Sequence, residues 1–131
     1  VYLAHPVSTY GTPWAARCLE AVEQAWPDCE VIDPAAWFAS NEEWLARWPS
    51  IVPSLSALVV VGDELGRIGV GCWLEVGDAI FWQVPVFTLT EGDHGVLDVA
   101  RVARLEVPVH PTRSSAAVVR SGALASPQPS P

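Results

Sequence analysis

Cations are scarce in this chain. Seven Lys and Arg residues stand against fifteen Asp and Glu, a formal net charge of −8 at pH 7. A nucleic-acid polymer needs a basic stripe to neutralise its phosphates, so DNA and RNA are excluded as partners. A single small nucleotide is not excluded, because helix N-termini and one Arg can hold one phosphate. Cysteine is sparse too. Cys18, Cys29 and Cys72 have no metal-ligand spacing, and their odd number argues for a reduced, cytoplasmic setting. Cys18 reads as a small core residue and Cys72 as a packing residue beside the candidate site. His5, His94 and His110 are scattered, so no metal is expected. No apolar run is long enough to span a bilayer, which excludes a membrane role. The chain opens on strand-like residues without a charged region and long apolar core ahead of them, so no signal peptide is expected. Neither G-x-G-x-x-G nor G-x-S-x-G occurs, which removes the dinucleotide fingerprint and the serine-hydrolase elbow.

Half of the 131 residues are hydrophobic, enough for one domain with a real core. Short strands alternate with helices. Val1 to Ala4 reads as a strand stopped by Pro6. Thr12 to Ala25 reads as a helix, with Thr12 as cap, Pro13 at the first position and Trp14, Cys18, Val22 and Ala25 on one face. Glu30 to Asp33 is a second strand closed by Pro34. Ser40 or Asn41 followed by Glu42-Glu43 starts a helix, which Pro49 should break near Trp48, leaving a shorter helix from about Ser50 to Ser56. Ala57 to Val61 carries three consecutive valines without polar alternation, as in a strand buried on both faces. Gly71 to Trp82 is a helix with Cys72, Val76, Ala79 and Ile80 on its apolar face. Pro85 to Leu89 is a fourth strand, Val96 to Ala103 a short helix and Arg104 to Val107 an edge strand. The expected architecture is an α/β domain over residues 1–110, with a parallel sheet of four or five strands and helices on both faces. A Ser/Ala/Pro-rich tail over 111–131 would follow, mobile or laid on a neighbouring subunit.

The candidate chemistry gathers around Leu58-Val59-Val60-Val61-Gly62-Asp63 and Gly69-Val70-Gly71-Cys72-Trp73-Leu74-Glu75. This is a buried strand, a glycine-rich loop and a helix expected to carry Glu75 in its first turn. Open α/β sheets bind ligands in the crevice at the C-terminal ends of their strands. A helix dipole would help keep Glu75 ionised there, and an ionised, oriented carboxylate is what an attack on a sugar carbon needs. The plainer alternative is a first-turn acid on a surface helix. Asp63 could hold a ribose hydroxyl or act as an acid, or simply serve a polar turn. The glycines Gly69 and Gly71 let backbone approach a ligand. The loop His5 to Thr12 offers the Ser8 and Thr9 hydroxyls and backbone N–H groups to a phosphate or sugar. His5 fits a ligand contact or a solvent-facing turn equally, and Tyr2 points either to the crevice or to the core.

Tyr2-Leu3-Ala4-His5-Pro6, Val31-Ile32-Asp33-Pro34-Ala35, the Ala57 to Val61 strand and Gly69-Val70-Gly71 through Glu75-Val76-Gly77-Asp78-Ala79 together resemble the nucleoside 2-deoxyribosyltransferase-like superfamily, which includes deoxynucleoside 5′-monophosphate N-glycosidases. The resemblance covers about residues 1 to 90 and rests on the order and spacing of these elements. It implies a flavodoxin-like three-layer sandwich, a homodimer or higher homo-oligomer with shared active sites, and cleavage of an N-glycosidic bond. It matches the family nucleophile to Glu75 and an N-terminal Tyr to Tyr2. The loop-to-Glu spacing is longer here than in the best-known enzymes. The family's catalytic Asp has no counterpart in Ser50-Ile51-Val52-Pro53-Ser54, which leaves Asp63 as the substitute.

The expected activity is therefore hydrolysis or deoxyribosyl transfer on a small-molecule nucleoside or nucleotide. Glu75 would attack C1′, Asp63 would orient the sugar or water, and Tyr2 would position Glu75. His5, Ser8, Thr9, Gly69 and Gly71 would contact substrate. The scheme calls for no metal and no organic cofactor. Two other classes compete: a nucleotide-binding or sensing module that has lost catalysis, which the missing Asp favours, and an interaction domain whose seven tryptophans build an oligomer interface.

Overall fold

A computed structural model of the chain describes residues 1–106 and 117–121, with side chains described for residues 1–102. In chain order the elements are β1 (Tyr2–Ala4), α1 (Pro13–Ala25), α2 (Pro34–Trp37), α3 (Asn41–Ile51), β2 (Leu58–Val60), β3 (Arg67–Ile68), α4 (Val70–Phe81), β4 (Val86–Glu91), β5 (Leu97–Glu106) and β6 (Ala117–Ser121). Short 3-10 turns lie at Val7–Thr9, Val52–Ser54 and Asp93–Gly95.

The class is α/β, built on a four-stranded, mostly parallel sheet. β1 pairs with β2 and β2 with β4, both parallel, and β5 is the fourth strand, antiparallel to β4. Beyond β5, β6 and then β3 extend the sheet, both pairings antiparallel. β6 falls inside the stretch expected to be a tail; the rest of that stretch, and the 110/111 boundary, lie outside the described residues. Register couples Tyr2 to Leu58 and Ala4 to Val60 across the first pair. Period-2 alternation then sorts side chains to two sides. Tyr2, Ala4, Leu58, Val60 and Val86 pack with Trp48 of α3 and Cys72, Val76 and Ala79 of α4. Leu3 and Val59 pack with Cys18 and Val22 of α1. Burial on both faces is why β2 carries no polar residue.

Local chemistry sets the helix starts. Thr12 accepts the Ala15 N–H at 3.2 Å and Pro13 opens α1. Asp33 accepts from Ala35 and Pro34 opens α2. Ser40 accepts from Glu43 ahead of α3. Each cap satisfies one N–H that the first turn leaves without a partner. Thr12→Ala should therefore lower unfolding free energy by about 1 kcal/mol in urea titrations, with an unchanged slope.

The structure corrects several sequence expectations. Residues 97–103 are strand, not helix: Gly92 and Gly95 (φ +75°), with His94 at φ +64°, turn the chain back on β4. Leu97, Val99 and Arg101 then alternate against Glu91, Leu89 and Phe87. The sheet is accordingly not wholly parallel. The strand expected at Glu30 to Asp33 shrinks to one bridge, Ile32 to Tyr2, because the Asp33 cap and Pro34 turn the chain into α2. α3 runs through Pro49 instead of breaking at Trp48. The hydrogen bond that Pro cannot donate would have gone to Leu45; both residues lie on the exposed side, where water can take the carbonyl. Ile80, expected on the buried face of α4, is 63% exposed. No helix among the described residues is long and apolar enough to cross a membrane.

Candidate active site

Three segments converge on Glu75. β1 brings Tyr2, whose hydroxyl donates to Glu75 Oε2. α3 brings Trp44, whose Nε1 donates to the same oxygen at 2.8 Å. α4 carries Glu75 itself as its sixth residue, in the second turn, and no acid occupies the first turn. The helix begins at Val70, one residue before its expected start, so the anticipated first-turn carboxylate is corrected.

Its electrostatics differ as well. Glu75 is 5% exposed. Burial raises its carboxyl to about 7, the bonds from Tyr2 and Trp44 pull the other way, and Asp78 adds to the rise. Desolvation, not the helix dipole, dominates. Every fully enclosed side-chain oxygen and nitrogen has a partner among the described residues. Oε1 of Glu75 accepts no bond from them, and Glu75 is among the residues that line the adjoining cavity.

That cavity encloses about 700 Å³, within the usual range for small-molecule sites. Its walls carry Tyr10, Phe38 and Trp44 as aromatic rings, Ser8, Ser40 and Asn41 as polar groups, and the backbone of Gly69 to Gly71 beside Cys72. Burial first, then the nearby Glu75, raises the Tyr10 phenol to about 12 and also lifts the Tyr2 phenol and the Cys72 thiol above their ordinary values.

His5 is buried on the cavity wall. The Thr9 hydroxyl gives its one proton to the Pro6 carbonyl at 2.6 Å, so it receives from His5 Nδ1 at 2.8 Å. Asp33 faces Nε2 at 2.8 Å, and an ionised carboxylate only accepts. Burial alone would raise the Asp33 carboxyl, but the bonds from His5 and the Ala35 N–H hold it below the ordinary range. Both ring nitrogens of His5 are thus engaged within the fold, and neither is left for a ligand. His5 shapes the wall by tying the first loop to the start of α2.

Among the expected site residues, the structure brings Tyr2, His5, Ser8, Gly69, Gly71 and Glu75 to one place. Ser8, Gly69 and Gly71 line the cavity. Two others lie elsewhere. Thr9 is buried with its hydroxyl engaged and borders a second hollow of about 280 Å³, together with Asp63. Both Asp63 oxygens are occupied: Oδ1 accepts the Leu65 and Arg67 N–H groups at 2.9 and 3.0 Å, and Oδ2 faces the Arg67 guanidinium at 3.2 Å. Burial opposes ionisation there, but these bonds hold the carboxyl below its usual value. Asp63 builds the turn into β3. Sequence reading missed Trp44 and Asp33 as parts of the site. The Asp-Pro cap signature and the Trp44/Trp48 spacing were the available signals.

No group of three or more His, Cys, Asp or Glu is placed to hold a metal ion among the described residues. No protein-family model, curated protein or solved structure matches the chain.

Proposed function

We propose that this protein cleaves the N-glycosidic bond of a nucleoside or nucleotide, as a hydrolase or a deoxyribosyltransferase, with Glu75 as nucleophile. One observation carries the reading: a buried carboxylate, fixed through one oxygen by Tyr2 and Trp44, lines an aromatic-walled cavity. Oε1 would attack C1′ as the C1′–N bond breaks, with the electron pair leaving on the base nitrogen, which takes a proton from solvent. The transition state has oxocarbenium character, and the carboxylate's negative charge stabilises it. Water attacking C1′ of the glycosyl ester would free the sugar and regenerate Glu75; a second base attacking there would complete a transfer. Tyr10, Phe38 and Trp44 offer faces on which a base can stack.

The likeness of residues 1–90 to the nucleoside 2-deoxyribosyltransferase-like superfamily supports the same reading. So does a sheet with hydrophobic clusters on both sides, which we take as a flavodoxin-like three-layer arrangement. Exposed Val70, Leu74, Phe81 and Trp82 on and just after α4 suit a homo-oligomer; light scattering should give a mass of at least two chains. Three cysteines without a disulfide suit the cytoplasm.

The test is a panel of nucleosides and 5′-monophosphates assayed for free base by chromatography. Only ionised Glu75 can attack. Since its carboxyl titrates at about 7, base release should climb with pH through that value and level off above it. A rate that is flat between pH 5 and 9 would remove Glu75 from the nucleophile's role. The second reading, a binding module, is favoured by the position of Asp63: its carboxylate borders the other hollow, and no second acid lines the Glu75 cavity among the described residues. It expects nucleotides to raise the melting temperature without any release of base.

A further inference from the structure

α3 and α4 are joined by two indole–carboxylate bonds. Trp44 Nε1 donates to Glu75 Oε2 and Trp48 Nε1 donates to Asp78 Oδ2, each at 2.8 Å. The tryptophans lie one turn apart on α3 and the acids nearly one turn apart on α4, so the bonds form successive rungs. The two indoles stack at 24° with centroids 6.2 Å apart, and the Trp48 ring packs on Tyr2 at 4.8 Å. Tyr2 is itself the other donor to Glu75. Only the first rung borders the cavity.

We propose that Trp44 is a positioning residue for Glu75, holding the carboxylate by Oε2 so that Oε1 alone is presented to the reacting carbon. The proposal rests on Glu75 being the nucleophile. A side chain with free torsions would present either oxygen in many orientations; two donors converging on Oε2 remove that freedom before substrate arrives. A donor to a carboxylate also favours its charged form, so Trp44 sets the pH at which Glu75 becomes reactive. The other titratable groups around Glu75 are Tyr2 from β1, Tyr10 and His5 from the first loop, and Cys72 and Asp78 from α4; the substitution below leaves them all in place.

Trp44→Phe keeps an aromatic ring on the wall and removes only the N–H. The Glu75 carboxyl, followed by carbon NMR, should then titrate about one pH unit higher than in the wild type, the usual scale of one charge-assisted bond. Trp48→Phe, which breaks the other rung, should move that midpoint by much less. In base release, kcat of Trp44→Phe should fall roughly fivefold at pH 7, where a one-unit rise cuts the ionised fraction from a half to about a tenth. It should recover at pH 9 with KM little changed. A purely structural role would lower kcat equally at every pH. An unmoved Glu75 midpoint in Trp44→Phe, or an equal shift in Trp48→Phe, overturns the proposal. If the wild type releases no base at all, the glycosidase assignment fails, while the NMR arm still decides whether Trp44 governs Glu75.

Discussion

Glu75→Gln should abolish base release and, in the same protein, raise the melting temperature at pH 8. The catalytic loss should be at least roughly a thousandfold, because an amide oxygen is too poor a nucleophile to form the glycosyl ester. The stability gain follows from proton linkage. Glu75 titrates at about 7 in the fold against an ordinary value of 4.5. Below pH 4 the carboxyl is protonated in both folded and unfolded chains. Between about 4.5 and 7 the unfolded chain gives up the proton while the folded one keeps it, so stability falls as pH rises through this window. Above 7 both are ionised and the full penalty, about 3 kcal/mol, is in place. Gln has no charge to bury, and its amide oxygen can still accept from Tyr2 and Trp44. The two proteins should melt alike at pH 4, and the variant should melt roughly 10 °C higher at pH 8. A parallel pair of stability–pH curves would mean that the carboxylate is not desolvated as the structure has it. A group that destabilises its own fold at working pH is the pattern expected of a site kept for chemistry.

The second large effect is structural and lies at the end of β2. Gly62→Ala should destabilise the protein by about 3 kcal/mol or more, measured by urea unfolding. A Cβ at this position would overlap the Gly66 carbonyl carbon and sit 2.7 Å from its oxygen and 2.8 Å from the Arg67 nitrogen. All three are backbone atoms, so no rotamer change relieves the clash. The turn cannot readily open, because the Asp63 side chain clasps the Leu65 and Arg67 N–H groups and Gly66 holds φ +79°. The Gly62 carbonyl also accepts the Trp14 indole at 2.9 Å. The same turn delivers Ile68 and Gly69 to the start of α4, so displacing it moves Glu75 as well. Gly66→Ala meets no neighbouring atom and should cost only about 1 kcal/mol, from the left-handed backbone alone. A Gly62→Ala protein as stable as the Gly66→Ala one would mean that the turn is not packed this closely.

Legibility of the sequence varied with how local the deciding physics was. The Thr12-Pro13 start of α1 and the valines of β2 declare themselves within a few residues, and the structure has them there. α4 was readable to within one residue at each end. β5 is hard to read from sequence, since Val96, Val99 and Val102 recur at a spacing of three that also suits a helix. The left-handed turn at His94 and Gly95 and the waiting edge of β4 decide otherwise, and neither is visible in the apolar pattern. In the site, Glu75 drew notice by following a glycine-rich loop. Strand alternation left the direction of Tyr2 open, since both faces of β1 are buried. Trp44 lies 31 residues from Glu75 in the chain, and only the packing of α3 on α4 brings the two together. Asp63 was misleading for the opposite reason. Its place at a strand end suggested the crevice, but N–H groups two and four residues further on capture its carboxylate first.

The indole–carboxylate contact makes the protein its own optical reporter. Charge appearing on a carboxylate that touches an indole N–H perturbs that ring's excited state, so Trp44 emission should change as Glu75 ionises. Of the seven tryptophans in the chain, Trp44 is the one bonded to Glu75. The difference between wild-type and Trp44→Phe spectra across pH would therefore isolate the signal without any label, and the same light would register a ligand settling against the wall.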